Sequence, residues 1–352
     1  MMTNILKTST MKLRKYWNKI SMKRRKNTRK VHNEKQETFF TKLANGIITI
    51  CLTAGMLWGL QTYSASTSLK FAQVSDVHFL ENGSNTTFKM IGESPRLLDD
   101  AVTQLNEHND LDFVMFTGDL IDKPFEKELR AVLPHLENLN APWYFAFGNH
   151  DRCIGGYLTT QVYMDMLKDA NKNYTFKNAY YSFEPKKNYK VIVLDDIITD
   201  RLTSNGYIDE HQLKWLKNEL DKSKNDTVLI FMHVPIVEPF ASPNHKLKNA
   251  TQVMSLIESY KNPIGVFQGH YHATKVVQHD NVLYVATPAL VSYPNAFRIV
   301  NVTNYKDKTT FELKWYETRE KTIQKMAKLL VFSGAMYAGE PKDQSGVYEI
   351  KK

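Results

Sequence analysis

The sequence predicts a layered α/β domain with a mixed sheet, preceded by a membrane-directed N-terminal segment. Three observations carry that expectation. From Leu69 onward, apolar runs of strand length alternate with stretches of helical period, and only strand-like runs follow His272 until Tyr316. Five of the strand-like runs end in short loops rich in Asp, Asn and His. An uncharged segment, 43–69, separates all of this from a basic arm. Alternation followed by a run of strands is the pattern of helices packed on sheet, with part of the sheet antiparallel or mixed.

The chain has 352 residues, 42% hydrophobic and 24% charged, enough for a sizeable core. Its net charge of +9 is unevenly placed. Residues 1–43 hold 13 Lys/Arg against Glu34 and Glu37, a net of +11, and the remainder is slightly acidic. No nucleic-acid surface is therefore expected on the folded domain. Residues 47–60 form the apolar centre of the uncharged segment, with Trp58 and Tyr63 toward its far end. About 20 such residues span a bilayer core, and positive charge on the N-terminal flank alone predicts a cytoplasmic N-terminus. Residues 1–42 thus read as a basic cytoplasmic tail able to touch anionic lipid, and 43–63 as a transmembrane signal anchor. The small residues Ser64, Ala65 and Ser66 also suit a cleavable signal peptide, which would release the domain as a secreted protein. In the anchored case the domain sits on the extracytoplasmic side, joined by a linker at 64–68. The two cysteines, Cys51 and Cys153, offer no disulfide within the domain and no cysteine-rich metal site.

The domain is expected over 69–317. Residues 70–75 read as the first strand. Ser94-Pro95 then reads as an N-cap with proline at the first helical position, followed by Leu97, Leu98, Ala101, Val102 and Leu105 at helical spacing. Strand 113–117 and helix 126–139 follow, then strand 142–147 and helix 159–171. Strands are expected at 179–183 and 190–194, a helix at 209–223 and a strand at 227–232. After an irregular stretch, 238–249, come a helix at 252–260 and a strand at 264–267. The last strands are expected at 274–278, 282–286, 297–302 and 310–316. Residues 318–352 read as a C-terminal extension, with a short helix near 320–330.

The chemistry lies in the loops. Asp76-Val77-His78, Gly118-Asp119, Gly148-Asn149-His150-Asp151, His233 and Gly269-His270-Tyr271-His272 each follow a predicted strand. Loops leaving the carboxyl ends of strands converge at one edge of an α/β sheet. Imidazole mixed with carboxylate suits Zn, Mn or Fe better than Ca. The set suffices for two divalent ions if Asp119 bridges them, and two ions so placed clamp a phosphoryl group and supply hydroxide.

This ordered five-part pattern resembles the calcineurin-like metallophosphoesterase superfamily, nearest to its cyclic-nucleotide phosphodiesterase-like branch, over about 69–316. The resemblance implies a four-layer β-sandwich of two mixed sheets flanked by helices. It implies that Asp76, His78 and His272 hold a first metal, that Asn149, His233 and His270 hold a second, and that Asp119 bridges both. His150 would assist the leaving group rather than bind metal. Asp122 stands where related phosphatases carry the carboxylate that supports this histidine, with Asp151 as its rival. Lys123 follows where some members carry Arg, and it lacks the bidentate fork. His245 and Tyr271 are further candidates for the substrate mouth. Residues 288–298, with Tyr293, Asn295 and Arg298, resemble a segment of the same branch. The implied activity is hydrolysis of a phosphodiester by a metal-bridging hydroxide, on small soluble nucleotides or lipid-linked phosphates. The alternatives are a phosphomonoesterase on the same site and a non-catalytic metal-binding scaffold.

Overall fold

The computed structural model describes residues 18–19, 21–30, 35–38, 41–50, 66–152 and 158–352. The chain divides into two units, 1–65 and 66–352. In the first, 21–30 and 41–50 are helical and exposed. No helix among the described residues is long and apolar enough to cross a membrane. The expected anchor continues through 51–63, which lies outside the described residues, as do Cys51 and Cys153.

The second unit holds two six-stranded mixed sheets. In one, β1 (Thr67–Val74), β2 (Phe113–Thr117) and β3 (Trp143–Ala146) run parallel. On the other side of β1, β10 (Ala296–Asn304), β11 (Lys308–Glu317) and β12 (Gly346–Lys351) continue antiparallel. In the other sheet β5 (Tyr189–Val193), β6 (Thr227–Phe231), β7 (Ile264–Gln268) and β9 (Val282–Ala286) are parallel. Its edges, β4 (Tyr181–Lys186) and β8 (Lys275–His279), are antiparallel. The expected mixture of strand directions is present in both sheets.

Period-2 alternation decides what each strand face meets. In β6, Leu229 and Phe231 join the core between the sheets, while Val228 and Ile230 join a second core. That second core is closed by Leu213, Leu216 and Leu220 of α4 (Glu210–Lys222) and by Val253 and Ile257 of α5 (Ala250–Glu258). The first core also takes α1 (Ser94–Asn106), α2 (Glu126–Glu137) and α3 (Thr160–Ala170). Phe71 of β1 sits at its centre. It stacks on Phe113 with ring centroids 5.2 Å apart and meets Phe231 and Phe267 edge-on at 5.3 and 5.0 Å. Truncating such a residue to Ala costs about 3–5 kcal/mol.

Two local expectations are corrected. Ser94 is the first helical residue rather than the cap; its hydroxyl donates to the Ile91 carbonyl and accepts from the Leu80 N–H. The hydroxyl thereby closes the loop ahead of the helix. Residues 318–352 also carry more structure than one helix. After α6 (Lys321–Leu330) come the short α7 (Gly334–Ala338) and α8 (Pro341–Gln344), and then β12 at the sheet edge. Only Ile350 of β12 is buried, so the strand has almost no apolar period to announce it.

Candidate metal centre

All five motif loops leave the carboxyl ends of parallel strands: β1, β2 and β3 in one sheet, β6 and β7 in the other. The backbone is forced into unusual shapes to aim the side chains. Asp76, His78, Asp119, His270 and His272 all have φ between 46° and 72°. Non-glycine residues in this left-handed region cost of order 1–3 kcal/mol each and gather at functional sites. Two glycines make the approach possible. Gly118, at φ 89°, could carry a Cβ only by colliding with the His233 ring, and a Cβ on Gly148 would collide with Asp119.

The side chains form two sets around one carboxylate. In the first, His78 Nε2 lies 3.2 Å from His272 Nε2, which is 3.3 Å from Asp76 Oδ1. In the second, His233 Nε2 lies 3.1 Å from His270 Nδ1 and 3.2 Å from Asn149 Oδ1. Asp119 Oδ2 stands between them, 3.4 Å from both His78 Nε2 and His233 Nε2. The far ring nitrogens are held. His78 Nδ1 donates to Asp122 Oδ1 at 3.1 Å, His272 Nδ1 to Ser292 Oγ at 2.8 Å, and His233 Nδ1 to the Thr117 carbonyl at 2.8 Å. With tautomers assigned from these partners, the inward nitrogens of His78 and His272 carry lone pairs aimed at one another. That arrangement is repulsive unless a cation lies between them.

The electrostatics agree. Burial opposes a charge on His233, but Asp119 and Asp76 outweigh it and hold its proton up to about 10. Burial pushes His78 down to about 3, helped by Lys89 and His150, and pushes His270 well down too. Asp76 and Asp119 stay ionised: burial works against their charge, and the surrounding imidazoles reverse it. The pocket therefore offers ionised carboxylates and neutral imidazoles at His78 and His270, the ligand forms a divalent ion requires, and the proton on His233 is one that a bound ion would displace.

A family model for the calcineurin-like phosphoesterases matches residues 69–274, which span all five loops. The chain belongs to the calcineurin-like phosphoesterase family. A manganese-dependent ADP-ribose/CDP-alcohol diphosphatase from Arabidopsis thaliana is 26% identical, covering 57% of this chain and 79% of that protein. A 3′,5′-cyclic-nucleotide phosphodiesterase from Nostoc is 27% identical, covering 63% and 78%. The crystal structure of a dimetal phosphatase from Danio rerio shares the fold at a TM-score of 0.56 and 19% identity, covering 69% of this chain and 95% of that one. This phosphoesterase is a metal-dependent phosphoric ester hydrolase, as the family match and the named relatives together require. The family implies divalent metal, and the converging lone pairs of His78 and His272, with the carboxylates of Asp76 and Asp119 beside them, fit it. Among the described residues two groups suited to a metal ion coincide with the sequence assignment: Asp76, His78 and His272, and Asp119, His233 and His270. Asn149 joins the second through its side-chain oxygen.

His150 of the phosphoesterase stands beside these groups and outside both. Its Nδ1 donates to the main-chain carbonyl of Asp122 at 2.8 Å, leaving Nε2 free to accept. The Asp122 carboxylate, expected to support this histidine, lies 3.6 Å from the same nitrogen and also hydrogen-bonds His78 Nδ1 at 3.1 Å. Asp151 has a different task. Fully buried, it accepts from the N–H groups of Asp119, Leu120, Ile121 and Gly148 at 2.8–3.1 Å and from the Tyr163 hydroxyl at 3.1 Å. Burial, with Asp119 nearby, pushes it up to about 7. It locks two ligand loops together.

The cleft over these groups encloses about 280 Å³. His245 and Tyr271 line it, as the sequence allowed. Lys123 is exposed and stands outside the lining. The cation in the cleft is Lys89, whose Nζ donates to His150 Nε2 at 3.3 Å and lies 3.5 Å from Asp122 Oδ1. It belongs to the long loop after β1 and no motif marked it. Nor did sequence indicate Phe240 and Tyr337, which with Tyr271 form an aromatic wall; their rings lie 5.1 Å (Phe240–Tyr271) and 6.2 Å (Phe240–Tyr337) apart. Tyr337 comes from α7, beyond the matched family segment. Arg298 does not face substrate. It is fully buried and donates to the Asp343 and Gln344 carbonyls at 2.7 Å, pinning the C-terminal segment to β10.

Proposed function

We propose that this phosphoesterase hydrolyses phosphodiesters at a dinuclear centre held by Asp76, His78 and His272 on one side and Asn149, His233 and His270 on the other. Asp119 is shared between them. The observation that carries this reading is the equal 3.4 Å separation of Asp119 Oδ2 from the inward nitrogens of the two sets. When bound, divalent ions of the Mn, Fe or Zn class supply the nucleophile at neutral pH and neutralise phosphoryl charge. The chain's own residues do the rest. His150, poised by the Asp122 carbonyl, carries a proton at Nε2 toward the departing ester oxygen. In that protonated form His150 no longer accepts from Lys89, whose ammonium adds positive charge where phosphate oxygens lie. The aromatic wall gives a second ester arm a surface to pack on, which favours a diester over a monoester. Relatives named as cyclic-nucleotide phosphodiesterase and nucleotide-alcohol diphosphatase support a nucleotidyl arm as one candidate.

The basic arm and the apolar stretch at 43–63 support a further part of the reading: the N-terminal segment holds the catalytic unit at the outer face of a membrane. Protease accessibility of the catalytic unit in intact cells tests this, and protection from external protease overturns it. The activity is tested by reconstituting the protein with each metal and comparing a nitrophenyl monoester, a bis-nitrophenyl diester and cyclic nucleotides. Faster turnover of diesters is expected. Preference for the monoester with every metal would make the enzyme a phosphomonoesterase.

A further inference from the structure

The C-terminal segment carries an exposed surface of a specific composition. Met326, Leu329, Leu330, Phe332 and Met336 are all exposed within eleven residues, Leu329 at 85% and Phe332 at 99%. Ile323 and Ala327 hold one side of α6 in the core; Met326 and Leu330 border that side, and Leu329 stands well away from it. Isolated exposed apolar residues are ordinary; a contiguous group of them marks an interaction surface. Lysines are interleaved with it. Lys321, Lys325 and Lys328 are exposed, and no Asp or Glu occurs between residues 321 and 339. Lys321 is paired with Glu317 at 3.0 Å, whereas Lys325 and Lys328 make no ion pair among the described residues.

We infer that α6 and the turn after it dock on an anionic lipid surface. Protruding Leu, Phe and Met enter the interfacial region, and the lysines meet lipid phosphates, the arrangement of interfacial amphipathic helices. The unopposed positive charge selects this occupant over a second copy of the chain, whose corresponding face carries the same lysines and would repel it. The docking face is continuous with the mouth of the cleft. Met336 is exposed on α7, and the next residue, Tyr337, lines the cleft. Phe88, also exposed, lines the cleft from the loop after β1, and its ring lies 6.0 Å from that of His272. Docking therefore turns the mouth toward the bilayer. This inference concerns orientation and stands whether or not the two-metal reading holds.

The test uses the full chain with Cys51→Ser and Cys153→Ser, carrying one nitrobenzoxadiazole probe at Phe332→Cys or, for comparison, at Val162→Cys, which replaces an exposed apolar residue on α3. Each is reconstituted in phosphatidylcholine vesicles with or without phosphatidylglycerol, some containing nitroxide-labelled lipid. The expected result is a blue shift and nitroxide quenching at 332 but not at 162, strongest with phosphatidylglycerol and weakened by salt. Reversing both lysines that lack an ion pair (Lys325→Glu with Lys328→Glu) should abolish the shift while leaving turnover of a soluble diester intact. Equal behaviour at both positions, no shift at either, or a shift that follows protein concentration instead of lipid charge would each overturn the proposal. The last outcome would assign the face to a second copy of the chain. Because turnover is not the readout, an inactive preparation still decides the question.

Discussion

The floor of the cleft and its aromatic wall are built from different kinds of chain. The floor comes from five loops at the ends of central parallel strands. Most of its residues are buried, several are in left-handed backbone, and Asp151 ties the loop after β3 to that after β2 with three hydrogen bonds. The wall joins Tyr271 of the loop after β7 to Phe240 of the irregular stretch after β6 and Tyr337 of α7, and its last two members are held by longer-range ties. The Thr274 N–H donates to the Tyr337 carbonyl at 2.9 Å, and Arg298 grips Asp343 and Gln344. A rigid floor suits chemistry that must be placed to within a fraction of an ångström. A wall from peripheral elements can change without disturbing it. The difference predicts that floor substitutions affect every substrate alike, and wall substitutions sort substrates by size.

The largest effect tests the floor. Asp119→Ala removes the carboxylate shared by both sets and leaves His78 and His233 without their common partner. Turnover of monoester and diester should both fall by about 10³-fold or more, and bound metal measured by elemental analysis should drop. Retained activity would break the claim that the two sets act as one centre. His150→Ala should come next, lowering kcat by about 10²–10⁴-fold with metal content unchanged. The loss should grow as the leaving group becomes more basic. A uniform loss across leaving groups would remove the proton-carrying role and leave His150 a binding residue.

The same contrast explains what could be read from sequence. Each floor residue is a chemically distinctive side chain just after an apolar run, so a strand-end rule and five short motifs locate it. Asp122 shows where this stops. Its position in the chain was legible, but that its carbonyl takes the hydrogen bond of His150 while its carboxylate, 3.6 Å away, bonds His78 depends on one turn of backbone. Lys89 and Tyr337 were not legible at all. Lys89 is one of 46 basic residues and reaches the cleft only because the loop after β1 folds back over it. Tyr337 lies 65 residues beyond His272, and its placement depends on a fully buried Arg298 whose partners within the C-terminal segment are main-chain carbonyls. Carbonyls have no sequence signature.

The wall is tested by Tyr337→Ala. It should raise KM by about tenfold for a diester with a bulky aromatic arm and leave kcat and the monoester KM nearly unchanged. Tyr337→Phe should restore the parent value, because ring area rather than the hydroxyl makes the surface. A matching loss for the small monoester would show that the wall supports the floor and that the division is false.

The smallest effect marks the baseline, a change that touches neither floor nor wall. Glu219 on α4 receives Lys190 at 3.2 Å and Lys222 and Ser182 at 2.8 and 2.7 Å. Burial opposes its charge, but these donors outweigh it and hold it down to about 2, below the usual 4.5. A carboxyl depressed in the folded state adds stability that is complete above its unfolded pKa and is lost as pH falls through the folded one. Glu219→Gln should therefore destabilise the protein by about 1 kcal/mol near neutral pH, after discounting for solvent screening of a partly exposed pair. The difference from the parent should close as pH drops from about 4.5 toward 2. Thermal melts across that range check the stability difference, and kcat/KM for monoester and diester at neutral pH should stay at the parent values. A shift in either kinetic constant would mean that α4 communicates with the cleft, and floor and wall could no longer be treated as separable from the scaffold beneath them.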